Sequence, residues 1–186
     1  MKMSAPFELI RGLQPDQIGR EAQAQVGDHA DLKLWLRLLA CSTQIEQQIR
    51  QRLRSRFQTT LARFDTLAQL YRHPAGLRMK QLSNNLMVTG GNVTGLTDQL
   101  EAEGLVKRRE DAEDRRSFRV ALTPKGRRSF GQMAAEHERW LAELYGDVPA
   151  AVKLALYDHL GRLRVHLASR SASQQTGPHP AKKERR

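Results

Sequence analysis

The run from Leu77 to Thr123, LRMKQLSNNLMVTGGNVTGLTDQLEAEGLVKRREDAEDRRSFRVALT, leaves this chain few ways to fold. Three pieces follow one another in it without a spacer. The first is a short amphipathic segment, Arg78 to Leu86, with Leu82 and Leu86 on one side. MVT then turns the chain, and the Thr89 hydroxyl suits the free N–H groups that open the next helix. That helix is expected to run to about Glu103 and to stop at Gly104, which tolerates the left-handed geometry of a helix end. Val93, Leu96 and Leu100 recur at steps of three and four, so they face inward. Thr89, Asn92 and Thr94 leave the start of the helix small and polar. Two helices joined by a tight turn, the second with a polar N-terminal end, make the helix-turn-helix pattern.

The third piece reads as a β-hairpin. One strand is Leu105 to Arg109, the other Ser117 to Thr123, with Phe118, Val120 and Leu122 alternating inward. Between them lies EDAEDRR, whose one apolar residue is Ala112, so the loop is expected in solvent or against a partner. Arg115 and Arg116 at its tip, with Lys107, Arg108 and Arg109 leading in, suit a negative partner. A helix-turn-helix followed by a basic hairpin is a winged helix. The fold expected is mostly α with this small β-hairpin as the wing.

The rest of the chain frames that unit. Residues 1–30 form a weakly patterned arm, with Phe7, Leu9, Ile10, Leu13 and Ile18 as a small apolar face and a short helix at about 15–25. The arm reads equally as a clasp on a partner subunit or as a frayed terminus. A long helix is expected from Asp31 to about Arg56, with Trp35, Leu38, Leu39, Ser42, Ile45, Ile49 and Leu53 on its stripe. Thr60 to Arg72 gives the next, ended by HPAG. After the wing, Thr123 caps a helix that Pro124 opens, with Phe130, Met133, His137, Trp140, Leu141 and Leu144 along one side. Pro149 opens a last helix bearing Val152, Leu156, Leu160, Leu163 and Leu167. These flanking helices carry more apolar surface than a small winged helix covers, which points to a two-fold dimer. The organisation is therefore an arm (1–30), a dimerisation helix (31–60), a winged helix-turn-helix (61–126), further dimerisation helices (127–170) and a disordered basic tail (171–186), which adds nonspecific DNA affinity or only solubility.

This ordered set resembles the MarR family of bacterial winged-helix transcription regulators. QLSNNL, NVTGLTDQLEAEGLVKR, EDRR and VALTPKG carry the resemblance, which covers roughly residues 31–170. It implies a homodimer built on the terminal helices, bound to a near-palindromic double-stranded operator and acting as a repressor. The family's wing signature falls on Asp114, Arg115 and Arg116. Arg116 is the candidate for the minor groove and Asp114 for holding it, with Arg115 competing for either role. Glycines at 90, 91 and 95 stand where the family often has bulky polar side chains. Either the backbone of Gly90 and Gly91 approaches the groove closely, leaving Asn92 and Thr94 to read base edges, or phosphates do most of the binding. Lys80, Arg108 and Arg109 are candidate phosphate contacts.

The resemblance also implies an effector pocket between the dimer helices and the winged domain. LWLRLLACSTQIE, RFDTLAQLYR and HERW are similar to regulators of aromatic-acid degradation, some of which bind an acyl-CoA thioester. Trp35 and Trp140 are expected on facing helices, with Arg37, Arg63 and His137 to neutralise a carboxylate; the alternative is that both tryptophans fill the core. Cys41 admits a redox-sensor reading, but it shares a side with Leu34, Leu38 and Ile45 and is expected in the core. An architectural DNA-binding protein without a ligand is the other alternative.

Composition bounds the remaining classes. The formal net charge is +11, and the excess is spread through the folded part, which favours a polyanionic partner. A single cysteine excludes an internal disulfide and suits a reduced cytoplasm. No run approaches the about 20 apolar residues of a membrane span, and the N-terminus lacks a signal-peptide core. The six histidines show no metal-ligand spacing. With no phosphate-binding glycine loop or nucleophile elbow, neither an enzyme nor a cofactor is expected.

Overall fold

The computed structural model describes residues 29–86, 90–111 and 117–175. The arm and its expected helix, the turn at 87–89, the wing tip at 112–116 and the tail beyond 175 lie outside the described residues. The chain divides into two compact units, Met1–Leu141 and Ala142–Arg186. In chain order the elements are α1 (Ala30–Phe57), α2 (Leu61–Arg72), β1 (Leu77–Arg78), α3 (Met79–Leu86), α4 (Gly90–Ala102), β2 (Val106–Glu110), β3 (Phe118–Leu122), α5 (Pro124–Leu144) and α6 (Ala150–Gln175). It is a mostly helical chain with one small sheet, as the sequence predicts, and the winged helix lies wholly in the first unit.

The punctuation residues act as expected. The Thr60 hydroxyl accepts from the Arg63 N–H at 3.3 Å and starts α2. Gly104 takes φ +70° after α4. Its N–H donates to the Glu101 carbonyl at 2.8 Å, and the Leu105 N–H reaches the Leu100 carbonyl at 2.9 Å, which together close the helix end. Thr123 does more than cap. Its hydroxyl oxygen accepts from Gly126 N–H at 3.0 Å while its own proton goes to the Gly104 carbonyl at 2.7 Å, tying the start of α5 to the end of α4.

Gly126 explains the glycine of TPKG. A Cβ at that position would lie 1.9 Å from the Leu105 carbonyl oxygen. That carbonyl cannot retreat freely, because the Thr123 N–H donates to it at 3.0 Å. Gly126→Ala should therefore cost about 2 kcal/mol, as overpacking against backbone does. A urea titration should show a lower midpoint with an unchanged slope; an unaltered midpoint would mean that the α5 start has room to shift.

The core of the first unit is built on Leu53, Leu67, Leu70, Leu82, Val93, Leu100, Val106 and Val120, all buried. Phe130 packs against Phe64 and Tyr71, with ring centroids 5.4 and 5.0 Å away. Four expectations change. Arg78 does not open a helix: with Leu77 it forms a third strand, and the sheet order is β1-β3-β2, antiparallel throughout. Phe118 does not point into the core but is half exposed. It pairs with Glu110, one residue beyond the last position at which β1 flanks β3. The last helix does not stop near residue 170; α6 continues to Gln175, into the stretch expected to be disordered. Cys41 is exposed, not core. Its side of α1 carries Leu34, also exposed, so the apolar stripe is real but this part of it is not covered.

Candidate nucleic-acid interface

α4 buries Val93, Thr97 and Leu100 and turns Asn92, Thr94 and Gly95 to solvent. The buried Thr97 hydroxyl is satisfied within the helix, donating to the Val93 carbonyl at 2.7 Å. Gly90 and Gly91 form the first turn. A Cβ at Gly95 would meet nothing within 4 Å, so that glycine is not imposed by packing, and it leaves the outer face of the helix smooth. Beside this face runs β2, where Lys107 and Arg109 are exposed; Lys80 is exposed on α3. Thr89, Asp114, Arg115 and Arg116 fall outside the described residues.

Arg108 is not the open phosphate contact that its place in the sequence suggests. Its guanidinium forks between the carboxylates of Asp98 and Glu101 on α4, and its backbone N–H donates to Glu101 Oε1 at 2.9 Å. The hydrogen bond to Asp98 is the main reason its pKa is raised, with both carboxylates adding to it against some burial. At the end of α4, Arg63 forms an ion pair with Glu103, and Lys125 Nζ donates to the Glu103 carbonyl at 2.8 Å.

One residue that sequence reasoning left in the solvated wing is buried. Asp111 is 1% exposed, and its Oδ2 accepts from Arg78 Nε at 2.5 Å and from Arg119 Nε at 2.9 Å. Its N–H closes the hairpin on the Ser117 carbonyl at 3.0 Å. Spacing alone does not separate Asp111 from Asp114. The third strand does, because it sets Arg78 directly opposite Arg119.

The five residues proposed for an effector are not gathered in one place. Trp140 is buried, with Phe57 at 6.1 Å and the Arg52 guanidinium 5.9 Å over its ring. Trp35 is 59% exposed. It lies about 30 Å from Phe57 along α1, at 1.5 Å per residue, and Arg37 lies near it. Arg63 is held by Glu103, and its buried Nε has no hydrogen-bond partner among the described residues. His137 stacks on Phe64 at 4.8 Å. Burial lowers the His137 pKa and raises that of Asp65, each partly offset by the other's charge.

Comparison with known proteins decides the family. The model of the MarR family matches residues 59–118. A MarR family transcriptional regulator from Silicibacter pomeroyi is 34% identical, over 75% of this chain and 94% of its own, with a TM-score of 0.61. The chain belongs to the MarR family. It is thus a winged-helix transcriptional regulator, in a family of regulators and not of enzymes. An uncharacterised HTH-type regulator of Bacillus subtilis, YdgJ, is 33% identical over 103 residues, which span 55% of this chain and 62% of that one. The Staphylococcus aureus MepR–DNA complex shares the fold, with a TM-score of 0.63 at 22% identity over 75% of this chain and 99% of MepR.

Proposed function

We propose that this chain is a homodimeric repressor of the MarR family, released from duplex DNA by a small aromatic acid or its acyl-CoA thioester. Each copy sets α4 in a major groove and its wing in the adjoining minor groove. The observation that carries this reading is the solvent-facing start of α4, where Asn92, Thr94 and Gly95 are all exposed. Asparagine pairs with adenine and the threonine methyl meets that of thymine, so both side chains suit base edges. The net charge of +11 and the fold shared with the MepR–DNA complex support the same partner.

Retardation of duplexes selected from a random pool, titrated with salt, tests this directly. A sharp, palindromic footprint is expected; binding without a preferred sequence would return the protein to an architectural role. In the same assay Arg116→Ala should cost about 1–3 kcal/mol of operator binding at normal melting temperature, as loss of a minor-groove arginine would. Unchanged affinity would remove the wing tip from the mechanism. The effector reading rests on the sequence resemblance. Since Trp35 and Arg37 lie far from Trp140 along one α1, the five effector residues meet only if a second copy supplies the first two. A thermal-shift screen of aromatic acids and thioesters, repeated as a DNA-release assay, checks this. No compound active in both would discard the effector.

A further inference from the structure

We propose that Arg108 is a positioning residue for α4: it sets the helix against the wing strand and neutralises the acidic side that would otherwise face phosphate. The inference rests on the DNA-binding reading above and reassigns one of its candidate contacts. Asp98 lies one helical turn beyond Thr94 and so shares its side of α4, the side offered to DNA. Glu101 follows at the next step of three. Two carboxylates there would repel a phosphate backbone. Arg108 answers both from β2, one arm of the guanidinium on each, while Glu101 also takes the Arg108 backbone N–H at 2.9 Å.

Two consequences follow from this geometry. The guanidinium arms on Asp98 and Glu101 are not free for phosphate, so Arg108 acts on DNA through α4. The fork joins β2 to two positions three residues apart on the helix, fixing its rotation about its own axis as well as its distance. Rotation decides which of Asn92, Thr94 and Gly95 points into the groove. Lysine at the same place keeps the charge but has a single ammonium, which does not reproduce a planar two-armed bridge. Arg108→Lys therefore separates position from charge.

The test measures intact protein and the Arg108→Lys, Arg108→Gln and Asp98→Asn variants on two duplexes. One is selected by the intact protein from a random pool; the other is a scrambled duplex of equal length. Each titration is repeated across a range of salt. If Arg108 positions α4, Arg108→Lys and Asp98→Asn each lose about tenfold on the selected duplex. Arg108→Lys should keep its affinity for the scrambled one, with an unchanged salt slope, and Asp98→Asn, one negative charge fewer, should bind it at least as well. Arg108→Lys placed on top of Asp98→Asn should cost less than the two losses summed, because both act on the Asp98 arm.

A direct phosphate contact predicts another pattern. Arg108→Gln weakens both duplexes on either view, through a lost contact or through uncovered carboxylates, but with a direct contact Asp98→Asn would bind the selected duplex at least as well as the intact protein. That result, or an Arg108→Lys protein indistinguishable from the intact one on both duplexes, overturns the proposal. Asp98→Asn alters an exposed carboxylate and breaks one arm only, so it supplies the reading if the arginine variants melt early. If the intact protein selects no duplex at all, the DNA-binding reading falls, and this inference with it.

Discussion

Asp111→Ala should lower the stability of the winged domain by about 3 kcal/mol, the low end of what breaking a buried ion pair costs. The low end applies because the two arginines are only partly buried: their side chains are 36% and 27% exposed, whereas that of Asp111 is 1% exposed. In the intact protein one carboxylate oxygen serves both guanidinium groups, from β1 and from β3, at the root of the wing. Its removal leaves two like charges side by side at the position where β1 and β3 pair. The loss corresponds to a fall of roughly 6–12 °C in melting temperature for a chain of this size. Asp111→Asn keeps one acceptor oxygen and should fall between the two. Thermal denaturation followed by circular dichroism decides the matter. A melting temperature within a degree of the intact protein would show that the clamp is ornamental and that the hairpin holds the wing unaided.

Asp111 also marks where the sequence ceased to be readable. The helix-turn-helix was legible because its signals are local. The spacing of Val93 and Leu100, the left-handed Gly104 and the Thr123–Pro124 start act within a few residues of chain. The hairpin strands came within one residue for the same reason. β1 was not legible: two residues long, it has no period of its own and exists because β3 is there to pair with. Everything that depends on it was missed with it, including the buried carboxylate, the Arg78–Arg119 pairing and the exposure of Phe118. The ion pairs of Arg108 are out of reach of the sequence for a related reason. Its sequence shows a cation in a basic run, and its two carboxylates become neighbours only when β2 folds back along α4. Gly95 shows no packing demand, since a Cβ there would meet nothing within 4 Å.

The largest expected effect belongs to the second unit. Around α6 the apolar residues make two stripes. Val152, Leu156, Leu160, Leu163 and Leu167 follow steps of three and four on one side, and Leu154, Tyr157, Gly161 and Val165 do so on another. Tyr157 is 82% exposed and Leu154 and Val165 are each 71% exposed, and the first stripe is exposed too, Leu163 being the one residue of it that is partly covered. A helix apolar on two sides is normally a buried one, and single copies of a protein seldom leave such a surface to water. The exposed Leu32, Leu34 and Trp35 at the start of α1 pose the same demand. A second copy would satisfy both, and two-fold symmetry would double every contact. Leu163→Glu would bring a carboxylate into each half of that interface without a partner, at a cost of several kcal/mol per site. The variant is expected to sediment as a monomer. Its first unit should still melt cooperatively, because Leu67, Leu82, Val93 and Leu100 give it a core of its own. DNA affinity for a half-site should survive, whereas the advantage of a full palindromic site, on the order of 100-fold when two sites are linked, should vanish. Sedimentation paired with half-site and full-site titrations measures both. A stable dimer that keeps its full-site preference would place the interface elsewhere and leave the two stripes of α6 to another partner.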